Sequence, residues 1–561
     1  MSAMSPGIAQ VWQQQSSRTV KTRQHPDATQ ALETFRLLMQ SCYGPTGLLK
    51  SIQNSCGGQV TITSSSSVLV GRLSVSRPTL RLMLAAVEGH LASCSDSGLF
   101  CALLMTNLAK SCKELDLHPV LCIDINELML KLCVEYLNSA DSCRVSIDVA
   151  DVQMMLSLVR SVISTKPACG LSVRETDLIC SLTLQVFLHS LPSSGQNLRI
   201  PTLKYILVEG KTAMDSRIVD GVLIEAPHIP SYASKQFDLV RQDDGNIRVA
   251  LFNTSLAGGG EGFPDIYVET KEGVTPDNAS LDQLLALGSC LIQQRVGLLA
   301  CQKVVHPYLK RFLRSRAILT VDRLSLVHID AVQMVTGATL LGVVQSSIPE
   351  DAFGCLEDLT HFVLYGKSYL HLENPCRPVC SFVLCNRTES ALQELKTVCS
   401  AAQHVLALTL SQPLALPGAG CFEACLAAHL KQQVSVIESG VIDDLGCSTS
   451  QFKMAADNFI QCVESVAGAL EHGACSQVTD DVHHHRWPLP LGQSPSDWLR
   501  KCACGMKSFK AGSDWLLLGR RQQTGASASQ SGELKQNGMH GKEPGHPEQE
   551  TSESLKSDRA Q

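Results

Sequence analysis

No uninterrupted apolar run in this 561-residue chain reaches the roughly 18 residues that a membrane-spanning helix needs. The nearest approaches, Leu99–Ala109 and Val405–Leu416, are too short or are broken by Pro413. A block of basic charge is also missing, and the formal net charge is −6, which argues against nucleic acid as the main partner. Residues 1–30 hold no basic segment followed by an apolar run and a small-residue cleavage site, so secretion is not expected. Without such a leader the 24 cysteines read as reduced thiols of a cytosolic protein, most of them small core hydrophobes. No Ser/His/Asp or Cys/His constellation stands out.

What is present divides the chain by periodicity, and the length predicts two to four domains. Residues 1–27 are polar and irregular. From Ala28 to Tyr43, Leu32, Phe35, Leu38, Met39 and Cys42 recur at helical spacing, and Gly44-Pro45 stops the pattern. Val60–Thr63 alternates as a short strand should. Pro78 can open a helix that presents Leu82, Ala85, Ala86 and Gly89 on one face. A third helix from Ser97 is apolar nearly all round, which predicts a buried position.

The middle alternates short apolar strands (221–224, 247–252, 297–301, 317–321 and 340–344) with helical patterns such as Leu281–Gln294. That is an α/β layer signature. A hairpin over Phe362–Leu372, with Gly366-Lys367-Ser368 as its turn, precedes helices at Glu389–Leu410, Cys421–Lys431 and Gln451–Leu470. Helices at both ends around an α/β middle predict a discontinuous base domain that receives inserted domains.

Several short motifs have plain explanations. Gly210-Lys211-Thr212 and Gly366-Lys367-Ser368 mimic the end of a phosphate-binding loop, but Tyr205 and His361 stand where that loop needs glycine, so both read as ordinary turns. His483–His485, and Cys502 with Cys504, lack the spacing of a metal site and read as a solvated loop. Ser476–Leu518 has weak helical promise, and Arg520–Gln561 lacks the residues to bury a core and reads as a disordered tail.

Three ordered segments carry more. They are Ser41–Lys50 with Gly44-Pro45-Thr46-Gly47, then Gly57–Ser66, then Ser95-Asp96-Ser97-Gly98-Leu99. In that order they resemble the group II chaperonins, which have Gly-Pro-Lys-Gly-Met-Asp-Lys, Gly-Asp-Val-Thr-Ile-Thr-Asn-Asp-Gly and Gly-Asp-Gly-Thr-Thr. Ile163–Lys166, Gly210–Val222 and Leu416–Glu423 resemble that family's intermediate, apical-opening and return segments. Within the superfamily, Cys42–Pro45, Lys166–Cys169, Cys301–Val304 and Leu384–Arg387 resemble the divergent McKusick–Kaufman/Bardet–Biedl chaperonin-like branch. The resemblance implies a multidomain α and α/β, group II chaperonin-like fold. Its expected parts are a flexible N-terminus (1–27), an equatorial domain (28–143 and a divergent 405–518), an intermediate domain (144–206 and 375–404), an apical domain (207–374) and a disordered tail (519–561).

The resemblance also defines a nucleotide site. Such chaperonins hold phosphates with loop amides and Thr hydroxyls, hold Mg²⁺ with an Asp, and orient the attacking water with a second Asp. It implies Gly44, Pro45, Gly47, Asp96, Gly418 and Gly420 as degenerate nucleotide-binding residues, with Asp96 at the metal position. A plainer reading makes Asp96 a carboxylate favoured by a helix N-terminus. The paired Thr residues become Gly98 and Leu99, and the Asn-Asp-Gly turn becomes Ser64-Ser65-Ser66. The second Asp should lie near Ala401, yet no carboxylate occurs between Glu394 and Glu423. Loss of a positioned base alone forfeits about 10²–10⁴ in rate, so no catalytic residue and no efficient ATPase are expected. Weak binding of ATP with Mg²⁺ stays open.

The implied role is assistance in assembling the BBSome, a ciliary trafficking complex, with other chaperonin-like proteins and subunits of the cytosolic chaperonin. The implied location is the cytoplasm, centrosome and ciliary basal body. An ATP-dependent folding subunit and a centrosomal scaffold are the alternatives.

Overall fold

A computed structural model describes residues 26–44, 47–53, 60–139, 142–189, 191, 203–225, 245–258, 276–344, 347–377, 379–470, 475–480, 486–490 and 515–518. Pro45, His483–His485, Cys502, Cys504 and the Arg520–Gln561 tail lie outside the described residues.

Helix α1 (Pro26–Cys42) opens two residues before the expected Ala28, with Pro26 at its first position. The β1 (Lys50–Ile52)–β2 (Thr61–Thr63) antiparallel pair follows, then α2 (Ser66–Arg72), α3 (Pro78–Cys94), α4 (Gly98–Glu114) and α5 (Pro119–Asn138). The face of α3 differs from the expectation. Leu80, Leu84, Val87 and Leu91 are buried, whereas Leu82 is 74% exposed. Apolar residues lie on both sides of α3, so periodicity cannot choose between them. Packing against Leu32, Phe35, Ala102 and Leu103 of α1 and α4 does.

Beyond α5 the chain enters a second layer through β3 (Val145–Ser146), α6 (Val152–Ile163) and α7 (Val173–His189). The Asp151 carboxylate caps α6 by accepting from the Gln153 and Met154 amides. Strands β4 (Lys204–Glu209) and β5 (Arg217–Asp220) then flank a later strand.

The third region is the α/β middle. Strand β6 (Val222–Glu225) precedes β7 (Ile247–Phe252), α8 (Pro276–Gln293), β8 (Val296–Cys301), α9 (Pro307–Arg314), β9 (Leu319–Val321), α10 (Leu326–Thr336) and β10 (Leu340–Leu341). Parallel pairing gives the order β10-β7-β8-β9, and β11 (Gly354–Leu356) pairs antiparallel with the start of β7. Both faces of this sheet are covered. Phe252 and Leu299 pack with Leu284 and Leu309 on one side, while Val249 and Leu298 pack with Ile329 and Val332 on the other. This explains why the strands read as continuous apolar runs.

Strands β12 (Asp358–Leu364) and β13 (Lys367–Glu373) form the expected hairpin, and β13 also pairs with β6. The turn, however, is Tyr365-Gly366, because Lys367 already pairs with Leu364. Both turn residues have positive φ, 48° and 81°, which suits the twist of a two-residue hairpin. The other motif resembling a phosphate loop is also a turn, with Thr212 and Asp215 forming a capping box.

Strand β14 (Cys380–Asn386) returns to the second layer between β4 and β5 and is buried throughout. Helix α11 (Glu389–Ser411) packs against α6, α7 and β4, with Leu395, Val398 and Leu406 in the core. Strand β15 (Leu414–Ala415) pairs with β3, so the outgoing and returning chain cross between layers side by side. Helices α12 (Cys421–Val436), α13 (Ser439–Asp444) and α14 (Thr449–Gly468) rejoin α4 and α5 in the first, helical layer. The first layer is thus built from two separate stretches, one before β3 and one after β15.

The described residues within Ser476–Leu518 form strands rather than the helix weakly promised there. Strands β16 (Cys475–Asp480), β17 (Arg486–Pro490) and β18 (Trp515–Leu518) make an antiparallel sheet in the order β17-β16-β18. Among the described residues no helix is long and apolar enough to cross a membrane. Many described thiols, including Cys122, Cys180 and Cys301, are buried, although Cys355 and Cys376 are exposed.

Candidate functional site

Two loops of the helical layer and two elements of the second layer meet at one place. The first loop, Thr63–Ser65, leaves β2 and enters α2. The second, Ser95–Ser97, joins α3 to α4. Facing them are the turn after α6, which carries Lys166 and Ala168, and one face of α11. Thr388 caps α11 by accepting from the Ala391 amide. Glu394 and Ala401 are seven residues apart and so share a face, with His404 one turn farther on.

Glu394 is 3% exposed, and three donors from the first loop converge on its carboxylate. The Thr63 hydroxyl donates at 2.8 Å, and the Ser64 amide and hydroxyl each donate at 2.9 Å. The Ala168 amide in turn donates to Ser64 Oγ at 3.3 Å. Within the loop, the Ser65 amide donates to Thr63 Oγ1 at 2.9 Å. A buried carboxylate needs such donors to offset the loss of water.

The second loop holds Asp96. Its carboxylate Oδ1 lies 3.0 Å from Lys166 Nζ, with the two side chains 29% and 12% exposed. His90 Nε2 lies 3.1 Å from the Asp96 carbonyl oxygen, and Ser95 Oγ hydrogen-bonds His404 Nδ1. Ser95 and Ser97 have φ of 61° and 64°, the left-handed region that favours glycine. In the resemblance these positions are the two glycines of Gly-Asp-Gly. The two serines therefore hold a glycine-like conformation at the strain that a side chain adds there. Asp96 precedes the Ser97 cap of α4, so its partner is an ammonium rather than the helix end alone.

The remaining sequence-predicted residues have other neighbours. Gly44 has φ 91°, and a Cβ there would lie 2.3 Å from the Leu470 carbonyl oxygen. At Gly47 a Cβ would lie 2.2 Å from the Cys42 carbonyl oxygen. These close approaches explain both glycines, and the Gly47 amide already donates to the Gly44 carbonyl at 3.1 Å. Gly420, with φ 82°, caps α12, and the Gly418 carbonyl accepts from the Cys421 amide at 3.2 Å. Among the described residues no group of three His, Cys, Asp or Glu side chains could hold a metal ion. Neighbouring thiols are held protonated by burial, that of Cys399 pushed up to about 12 and that of Cys169 also pushed up.

A model of the TCP-1/cpn60 chaperonin family matches residues 36–483, which takes in both loops, the Lys166 turn and α11. The chain belongs to the chaperonin family. It is 37% identical to the molecular chaperone MKKS of Mus musculus over 494 residues, covering 87% of this chain and 86% of that protein. Its identity to the MKKS of Homo sapiens is 35% over 493 residues, with the same coverage of each chain. The thermosome subunit alpha of Sulfurisphaera tokodaii is more distant, 22% identical over 419 residues and 72% of each chain. The fold is thus chaperonin-like, as the ordered motifs implied.

Sequence reasoning placed Asp96 at this site but not Glu394 or His404. Glu394 was visible as the last carboxylate before Glu423, on the same helical face as Ala401. Only the fold shows that it reaches the Thr63–Ser64 turn.

Proposed function

We propose that this chain is a chaperonin-like helper in protein-complex assembly that works without efficient ATP hydrolysis. Its clients would be ciliary trafficking components of the BBSome. Its partners would be other chaperonin-like proteins and cytosolic chaperonin subunits, acting in the cytoplasm and at the centrosome and basal body. Similarity to proteins named molecular chaperones over 87% of the chain supports the chaperone part.

The observation that carries the second part is the Lys166–Asp96 ion pair at 3.0 Å. The donor set does not suit Mg-ATP. A divalent ion at Asp96 would have to displace an ammonium, and phosphate oxygens near Thr63 and Ser64 would face the Glu394 carboxylate. Gly98 and Leu99 bring no hydroxyl, and Ala401 brings no base. Contacts with partners would then have to supply what nucleotide turnover supplies in an ATPase.

The test is to purify the tagged chain from ciliated cells and identify its partners at native mass. Co-purification with chaperonin subunits and unassembled BBSome components is the expected result. Recovery with centrosomal proteins alone would overturn the assembly reading.

A further inference from the structure

The charged and hydroxyl groups that fill the site, those of Lys166, Asp96, Thr63, Ser64 and Glu394, also bridge the helical layer and the second layer. Lys166 and Asp96 are 70 residues apart in sequence, Ser64 and Ala168 are 104 apart, Ser95 and His404 are 309 apart, and Thr63 and Glu394 are 331 apart. In a nucleotide-driven relative, the implied bridge between these layers is the ligand itself: metal at the Asp, phosphate at the loops, water at the helix. Here a cation, an anion and an imidazole from the second layer fill those three directions.

We propose that Lys166, Glu394 and His404 form an internal clamp that fixes the Ile163–Cys169 turn and α11 onto the Thr63–Ser65 and Ser95–Asp96 loops with no nucleotide bound. Lys166 serves as a tethered cation for Asp96. Because it sits on the turn leaving α6, neutralising Asp96 and docking that turn are one event. Glu394 gathers the Thr63 and Ser64 donors, and Ser64 Oγ passes the contact on to the Ala168 amide. His404 holds Ser95, the residue before Asp96, so both ends of the second loop's contact surface are fixed from α11 and the α6 turn. The two-residue β3–β15 pair is the narrow crossing between these layers. The clamp adds lateral ties to it, so the layers keep one relative arrangement that a nucleotide cycle does not change.

The inference rests on the reading that nucleotide use is lost, and one experiment separates the two. Amide hydrogen exchange is followed in the full chain, free and with Mg-ATP, for Thr63–Ser66 and Ser164–Gly170. The buried strand β14 serves as the folding control. The Ser64 and Ala168 amides are expected to be protected in the free chain, with no change on adding Mg-ATP. The near-isosteric Glu394→Gln is expected to speed exchange of the Ser64 amide about 10- to 100-fold while β14 is unchanged. Lys166→Met should do the same for the Ser164–Gly170 segment. Exchange at unprotected rates in the free wild-type chain overturns the clamp, whatever ATP does. So does unchanged exchange in both variants. Protection in the free chain that Mg-ATP deepens upholds the clamp and overturns the loss of nucleotide use.

Discussion

Replacing Lys204 by Met removes a buried positive charge while keeping most of its stem, and the chain should become more stable. Lys204 begins β4 and is only 6% exposed. Its ammonium donates to the Val327 carbonyl at 3.3 Å, and Lys396 stands near enough to repel it. Burial first, and Lys396 second, push its pKa from 10.5 down to about 8. Between those values the unfolded chain binds the proton more readily, so the penalty on folding grows as pH falls from 10.5 and is complete below about 8. The full penalty for 10.5 to about 8 is about 3 kcal/mol. The hydrogen bond to Val327, lost in the variant, offsets about 1 kcal/mol of the gain. Lys204→Met should therefore gain about 2 kcal/mol at pH 7, a rise of a few degrees in Tm for a chain of this size. The gain should shrink as pH rises from 8 towards 10.5, where lysine is neutral in both states. Thermal unfolding of both proteins at pH 7 and pH 10 measures this. A lower Tm for the variant at pH 7, or a gain independent of pH, would refute the reasoning.

His328, half-buried on α10 with its buried Nδ1 unpartnered, has a pKa pushed down to about 4 by burial and then by Lys204. Its neutral form is the folded one, so stability should fall as pH drops from about 6.5 to 4, and a His328→Leu chain should lose that part of the slope in acid unfolding. On α3, Leu84→Ala should cost about 2–5 kcal/mol, whereas Leu82→Ala should stay within about 0.5 kcal/mol, as denaturant midpoints would show. Equal losses at the two positions would return the buried face to Leu82.

The legible parts of the fold were those where local chemistry and tertiary packing agree. Strand β7 was expected at 247–252 and occurs at Ile247–Phe252, because a strand covered on both faces is apolar without alternation. Helix α11 carries its own Thr388 cap, so its start was readable as well. Where several faces or turns were locally acceptable, tertiary contacts chose, as in the Leu80–Leu91 face of α3 and the Tyr365-Gly366 turn. Strands β16 to β18 hold few residues each, and prolines interrupt their pattern at Pro488 and Pro490. Strand β18 pairs with β16 across a long gap, which leaves no local signal.

At the site, ordered motifs pointed to Asp96 and to what its neighbours lack. They could not reveal that Glu394 and Lys166 take up the freed hydrogen-bonding capacity, because those partners are 330 and 70 residues away from the groups they bind. The Ser95 and Ser97 conformations are the clearest bridge between sequence and structure. Two serines there hold the left-handed conformation that suits glycine, which their identity alone does not announce.

The most direct test of the account is steady-state Mg-ATP turnover by the purified full-length chain, beside Asp96→Ala. The account predicts no turnover above background in either protein, because Asp96 is paired with Lys166 and no base stands at Ala401. Turnover in the wild-type chain that disappears in Asp96→Ala would contradict it and make this chain an ATP-driven folding subunit.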